Sequence, residues 1–374
     1  DYVEKSYGGF TRSYPFNGGD ALVYPSSGFL WDNALRERKT VRVYGEYVNG
    51  LRAYGEPVGK TTVDGREMGP WIDGQGAGVT EAGTWADFYN DALILRGLKS
   101  GKPHLDRLEA HSDVPSLDKL IDREYPPYHQ IIPDQYRFEV WKKDFDTYVK
   151  NNTLPSLNIL ALTNDHTAGL SPNYPTPRAM IADNDYALGR LVETISNSPY
   201  WKDSIIFVIE DDTQNGVDHV SGQRGPVNVI SAYSKPGTYN HYMTQIDFIA
   251  AMERILALPP MNQMDMAVDP THMNALFASQ PDLTPYRALE PNIKLDEMNP
   301  AAPSATTLQG AWALASQHID FNSGPDRVDP ALLNRAVWYS ASGFQRPYPG
   351  DRKVMWPQEV QAASQPSKTP EDHD

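Results

Sequence analysis

Apolar positions in the central part of the chain follow two periods, one typical of helices and one typical of buried strands. Short apolar runs rich in branched residues predict strands at 157–162, 204–209 and 227–232. Helical stripes precede and separate these runs, beginning near Phe138, Pro177 and Gln245. Strand, helix and strand in this order form the unit of a parallel sheet. The pattern therefore predicts an α/β fold.

The flanking regions are patterned less regularly. Upstream, the pattern predicts a helix ending near Arg38, a strand at 40–48 and a helix at 84–98. Glycine, proline and charge interrupt most of residues 50–134, which we interpret as an insertion or cap over the core. We place one domain at residues 1–286. Residues 287–374 are interpreted as a proline-rich extension that wraps the core, with helical candidates at 307–318 and 330–339 and an end typical of disorder.

Composition narrows the classes of function. The chain has 374 residues and a net charge of −15, which argues against a nucleic-acid partner. It contains no cysteine, which excludes disulfides, zinc–thiolate sites and cysteine nucleophiles. No apolar run reaches the length of a transmembrane helix. The first residue is Asp1, without a methionine or signal peptide, so we expect a start that is processed, truncated or incompletely read.

Acidic and imidazole side chains follow each of the three predicted strands. Parallel strands would bring these ends to one edge of the sheet, where sites in open α/β folds form. Carboxylate and imidazole ligands suit a divalent metal ion; Ca²⁺ and Mn²⁺ suit the acids better than Zn²⁺, and the histidines blur that preference. A solvated acidic turn is the alternative. The candidates are Asp165 and His166 after the first strand, Asp211, Asp212 and His219 after the second, and His241 after the third.

Other chemistry is less clear from the residues. Arg224 follows His219 closely and could meet an anionic oxygen through a two-pronged contact, or be a surface cation in a glycine-rich loop. Neither a G-x-S-x-G motif nor a phosphate-binding loop of the G-x-x-x-x-G-K type is present, so no nucleophile is evident.

Four segments resemble a known family. They are NDHTAG (164–169), TPRAMIADNDYALGRLVETISNSPYWKDSIIFVIEDDTQNGVDHV (176–220), VISAYSKPG (229–237) and ILALPPMNQMDMA (255–267). Together they resemble the phosphoesterase branch of the alkaline phosphatase superfamily, which includes acid phosphatases and phospholipase C-type enzymes. The similarity is greatest to bacterial proteins in which this domain can follow a β-propeller, and it covers Asp1 to about Tyr286.

The resemblance implies a three-layer α/β sandwich, with a mostly parallel central sheet and helices on both faces. It implies hydrolysis of phosphate esters by a serine or threonine nucleophile, assisted by one or two divalent metal ions. By residue, it assigns Asp211 and Asp212 to a metal pair, His166 to a His-x-x-Gly ligand motif and His241 to a late histidine ligand. Asp218 and His219 match an Asp-His-Val motif at the site edge. Export to the periplasm or outside the cell is also implied.

The chain departs from the family pattern at two places. A further metal-binding aspartate would fall on Leu162, which cannot coordinate, so Asp165 substitutes for it or one metal ion is absent. The expected nucleophile would lie upstream of Asp1, so an N-terminal segment or companion chain would complete the fold. We therefore expect a metal-dependent phosphoesterase. The alternative is a non-catalytic extracellular binding or structural protein that retains the fold.

Overall fold

The structure, a computed structural model, shows a chain of mixed helices and strands. It describes residues 24–48, 50–55, 61–63, 66–69, 71–72, 82–211, 225–300, 304–320 and 328–350. The strands are β1 (Val41–Tyr44), β2 (Gly50–Tyr54), β3 (Thr61–Val63), β4 (Arg66–Met68), β5 (Trp71–Ile72), β6 (Arg107–His111), β7 (Leu157–Leu160), β8 (Ile205–Ile209) and β9 (Val227–Ser231). The helices are α1 (Leu30–Arg36), α2 (Trp85–Leu95), α3 (Asp134–Asn151), α4 (Pro177–Ser196), α5 (Gln245–Leu256), α6 (Gln263–Ala267), α7 (Leu308–Ser316) and α8 (Pro330–Ala341).

The helices begin where the sequence supplies caps. Thr84 precedes α2, and its hydroxyl accepts from the backbone N–H of Asp87, whose carboxylate in turn accepts from the Thr84 N–H. Thr244 and Asp247 form the same arrangement at the start of α5. At its other end, α3 stops at Asn152, which adopts the left-handed conformation (φ 53°) that asparagine tolerates. Helices α2 and α5 lie within the ranges predicted from the apolar stripes, whereas α3 begins at Asp134, before the predicted start near Phe138.

Strands β1 and β7 form a small parallel sheet. They pair in register from Val41 opposite Leu157 to Tyr44 opposite Leu160, and a parallel bridge joins Val43 to Ile121 on the other side of β1. The predicted α/β class is confirmed at this level. A three-layer sandwich remains an expectation from the resemblance, because parallel pairing among the described strands is limited to β1 and β7.

The third predicted strand runs in the direction opposite to the one expected. β9 pairs with β8 in antiparallel register, with Ile205 opposite Ser231 and Ile209 opposite Val227. The prediction that all three strand ends share one edge is therefore wrong for β9, which ends beside the start of β8. A parallel return usually needs a crossover helix, and the polar sequence between Ile209 and Val227 has no apolar stripe with which a helix could pack.

The main hydrophobic core contains side chains from the predicted insertion at residues 50–134 as well as from the rest of the predicted domain. Val43 of β1 and Trp141 of α3 lie in the same buried cluster as Leu51, Trp85 and Leu108. The last three belong to residues 50–134, where β2 pairs with β5 and β6 in a three-stranded antiparallel sheet. This stretch therefore contributes side chains to the main core. A smaller cluster of Phe248, Ala251 and Met273 packs against β8 and β9.

The C-terminal extension folds back on α4. Glu297 pairs with Arg178 near the start of that helix, and an antiparallel bridge joins Met298 to Pro175. None of the helices that the structure describes is both long and apolar enough to cross a membrane.

Candidate functional site

The parallel pairing of β1 and β7 places two loops at one edge of the sheet. Tyr44 lies opposite Leu160, and the Ala161 N–H continues the ladder by donating to the Tyr44 carbonyl at 2.9 Å. Glu46 follows β1 closely, and a 3-10 helix from Asn164 to His166 follows β7. Because both loops leave the carboxyl ends of parallel strands, they occupy the position at which sites in α/β sheets form.

Three acids and a tyrosine at this edge influence one another electrostatically. Desolvation and then the charge of Asp211 raise the pKa of Glu46. Although Asp165 is exposed, desolvation by its surroundings and the charge of Asp134, followed by that of Asp211, raise its pKa. Desolvation, with further contributions from Asp165 and Asp211, raises the pKa of Tyr128 to about 12. The edge therefore carries concentrated negative charge, which favours a bound cation or a shared proton.

His166 is exposed but held by specific contacts. Its Nδ1 lies 2.8 Å from the Gln130 amide nitrogen, and the edge of its ring meets the Tyr128 ring with 5.3 Å between centroids. Gln130 also donates to the Thr167 carbonyl. The His166 Nδ1 is 3.3 Å from that same carbonyl, so the ring could instead donate there and present Nε2. Metal-binding histidines commonly use their second ring nitrogen in this way.

A buried polar network fixes the turn that carries Asp165 and His166. Backbone N–H groups of Thr163 and Asn164 donate to the Asp134 carboxylate at 3.2 and 3.0 Å. The Asn164 side chain is fully buried and donates to Asp183 at 2.9 Å. Asn184 donates to Asp134 at 3.1 Å and lies 3.5 Å from the Asp165 carboxylate. The turn is therefore built on rigid groups at the starts of α3 and α4.

His241 lies on the loop between β9 and α5 and is not brought to the end of β8 in the way that was predicted. Because β9 runs antiparallel to β8, its end points away, but the loop beyond it returns and the side chain of Gln245 donates to the Asp211 carbonyl. His241 itself is exposed and lies against the rings of Tyr239 and His272, with centroid distances of 5.8 and 4.5 Å.

The structure thus describes part of the predicted site. The charge of Asp211 raises the pKa of Asp165, and His166 lies beside Asp165. His241 lies on the loop that leads to α5, whose first residue, Gln245, contacts Asp211. Asp212, Asp218, His219 and Arg224 lie outside the described residues. Within the described ranges, no three histidine, aspartate or glutamate side chains are arranged to hold a metal ion.

Three residues at this edge were missed by reasoning from sequence: Glu46, Tyr128 and Gln130. Glu46 falls inside the strand predicted at 40–48, so applying the strand-end rule to a shorter strand would have found it. Tyr128 and Gln130 lie in a stretch without a clear period, and no sequence signal indicated that they approach His166.

The donor chemistry fits the metal ion that the resemblance implies. The carboxylates of Asp165, Asp211 and Glu46 and the imidazole of His166 are of the donor types found in Ca²⁺, Mn²⁺ or Zn²⁺ sites, although the described residues alone do not form a complete ligand group. Desolvation raises the pKa values of both Asp165 and Glu46, and the charge of Asp211 adds to each shift, so a cation beside Asp211 would relieve that repulsion.

Comparison with known proteins supplies one match. Residues 84–259 match the Phosphoesterase family. No curated protein and no solved structure matches the chain. The family segment contains α2 to α5 and with them the turn at Asp165–His166, the end of β8 at Asp211 and the loop of His241. The resemblance to phosphoesterases is confirmed over this stretch.

Proposed function

We propose that the chain, whose residues 84–259 match the Phosphoesterase family, hydrolyses phosphate esters near the carboxyl ends of β1, β7 and β8 with the aid of a divalent metal ion. The observation that carries the proposal is that the family segment contains Asp165, His166 and Asp211, and that the turn of Asp165 and His166 follows β7 at the carboxyl edge of the parallel sheet. A cation at such a place would offset the negative charge of a phosphate-ester substrate.

The metal-binding residues in this proposal are Asp165, His166, Asp211, Asp212 and His241. The ion, one or two in number, would supply positive charge that polarises a phosphoryl oxygen. His219 and Arg224 would donate hydrogen bonds to the oxygens on which charge develops. The nucleophile in this proposal would be a serine or threonine, as the family resemblance implies.

Tyr128 has a role in substrate binding in the same proposal. Its raised pKa, about 12, keeps the phenol protonated throughout the physiological range. A protonated phenol beside acidic groups can donate a hydrogen bond to a phosphoryl oxygen without adding negative charge. The Gln130 amide next to it orients His166.

The family match favours hydrolysis over a non-catalytic extracellular binding or structural protein. It leaves the substrate as a phosphate mono- or diester. We also propose that the protein acts outside the cytoplasm, in the periplasm or the medium, on the basis of the family resemblance.

A substitution at Asp211 tests the proposal. We expect Asp211→Asn in the natural full-length protein to lose bound divalent metal and to reduce kcat/KM on aryl phosphate mono- and diesters at least about 100-fold, since a charged ligand and its electrostatic effect are removed together. The matched control is Asp203→Asn, an exposed acid before the other end of β8. Full metal content and hydrolysis in Asp211→Asn would show that the site is not catalytic.

A further inference from the structure

The loop that follows His166 has a backbone that is unfavourable on its own. Thr167, Gly169 and Asn173 all have positive φ values, of 55°, 57° and 72°. Glycine and asparagine tolerate this region, but a β-branched threonine rarely adopts it. Strained residues of this kind persist where the surrounding structure holds them. The loop therefore depends on contacts from outside itself.

The C-terminal extension supplies those contacts. The side-chain amide of Asn299 is buried and faces three carbonyl oxygens of the loop, at 2.9 Å from Gly169, 3.0 Å from Ser171 and 3.1 Å from Pro175. In the backbone, the Asn299 N–H donates to the Tyr174 carbonyl at 2.9 Å, and the Thr176 N–H donates to the Glu297 carbonyl at 2.7 Å.

Glu297 anchors this arrangement to α4. Its carboxylate accepts from both Nε and Nη2 of Arg178, at 2.8 and 2.6 Å, and from the Thr176 hydroxyl at 2.7 Å. The two-pronged geometry fixes the orientation of the glutamate. Residues 297–299 thus join the strained loop to the start of α4.

We propose that residues 297–299 form a clasp that positions the His166 loop for phosphate-ester hydrolysis, with Asn299 as the main positioning residue. The clasp lies outside the segment that matches the Phosphoesterase family, so a part of the chain beyond that segment would contribute to its site. The expected effect on hydrolysis rests on the proposed function. The expected ordering of the loop, the mechanical part of the proposal, rests on the contacts alone.

The chemistry of Asn299 makes the proposal specific. An amide nitrogen is required where three carbonyl oxygens converge, because an oxygen in that place would repel all three. The Asn299 Oδ1, on the opposite side of the amide, is buried and has no hydrogen-bond partner among the described residues. Asn299→Asp should therefore disturb the loop more than Asn299→Ala does, although aspartate has nearly the same shape.

Two measurements on the natural full-length protein test the clasp. Amide hydrogen exchange should show a loss of protection of about tenfold or more in residues 167–176 for Asn299→Ala. Kinetics on an aryl phosphate, well below the melting temperature, should show kcat reduced about tenfold with KM nearly unchanged, because a displaced loop weakens transition-state contacts more than ground-state binding. The control is Glu290→Gln, which loosens the same extension at Tyr186 and does not touch the loop.

The outcomes separate the two proposals. Unchanged protection in Asn299→Ala, or a kcat equal to that of Glu290→Gln, would overturn the clasp. If the unsubstituted protein hydrolyses no aryl phosphate while Asn299→Ala still exposes the loop, the proposed function fails and the mechanical part of the clasp is supported.

Discussion

At the scale of single residues, Arg137 does most to shape the surroundings of the site. Its side chain is fully buried and pairs with Asp134 at 3.0 Å. The same guanidinium donates to the backbone carbonyls of Pro126, Pro127, His129 and Ile132. All five of its N–H donors are thus used. The loop that it holds carries Tyr128 and Gln130, both of which contact His166.

We expect that a lysine cannot make the hydrogen bonds that Arg137 makes. A lysine ammonium has three donors and no planar fork, so Arg137→Lys would leave carbonyls unsatisfied and weaken the pairing of a buried Asp134. We expect the free energy of unfolding to fall by about 3 to 5 kcal/mol, measured by urea denaturation. Arg123→Lys, in an exposed pair with Asp118, is the control. Equal losses in the two variants would contradict this role for Arg137.

At the scale of secondary-structure elements, α3 and α4 are joined by a cap contributed across the interface. Pro133 precedes α3 and supplies no side-chain cap. Instead, the Asp183 carboxylate of α4 accepts from the first two N–H groups of α3, at 2.6 Å from Asp134 and 3.3 Å from Gln135. A carboxylate at a helix N-terminus satisfies unpaired donors and complements the helix dipole. The pair of helices that frames the Asp165 turn is therefore locked together.

Removing this cap should be costly. Asp183→Ala would leave buried donors of α3 and of Asn164 without an acceptor, each at a cost of about 1 to 3 kcal/mol. We expect the free energy of unfolding, measured by chemical denaturation, to fall by about 3 kcal/mol or more. The matched control is Asp185→Ala, an exposed acid on the same helix. A stability for Asp183→Ala close to that of Asp185→Ala would show that the cap contributes little.

At the scale of the whole molecule, the C-terminal extension is attached through a pH-sensitive contact. The hydrogen bonds from Arg178 hold the pKa of Glu297 below its ordinary value of 4.5. Because the pKa is lower in the folded state, the contact stabilises the fold fully above pH 4.5. That contribution is lost as the pH falls through the lower folded value. The extension should therefore stay docked at neutral and mildly acidic pH.

This linkage predicts a difference between the natural chain and Glu297→Gln. The difference in unfolding free energy should be constant at neutral pH and shrink only below pH 4.5, when followed by urea denaturation between pH 3 and 7. Introducing Arg178→Gln into both proteins should reduce the difference and its dependence on pH, leaving only the smaller contributions of Thr176 and Lys294. A difference that instead changes between pH 5 and 7 would point to another titrating group.

The sequence by itself determined the longer helices, the strands β1, β7, β8 and β9, and the candidate acids of this protein. Apolar stripes and capping pairs such as Thr84–Asp87 are local, so α2, α3, α4 and α5 could be predicted close to their ends. The rule that sites follow strand ends selected Asp165, His166 and Asp211 without any structural information.

Only the tertiary structure decided how these parts meet. The direction of β9 depends on its pairing with β8. A short apolar run has the same sequence pattern in a parallel and in an antiparallel sheet, so the pattern does not predict that direction. Glu46, Tyr128 and Asn299 reach the site region through contacts across long stretches of chain, which no local period records. Local patterns specify elements because they arise from neighbours in sequence, whereas the site arises from neighbours in space.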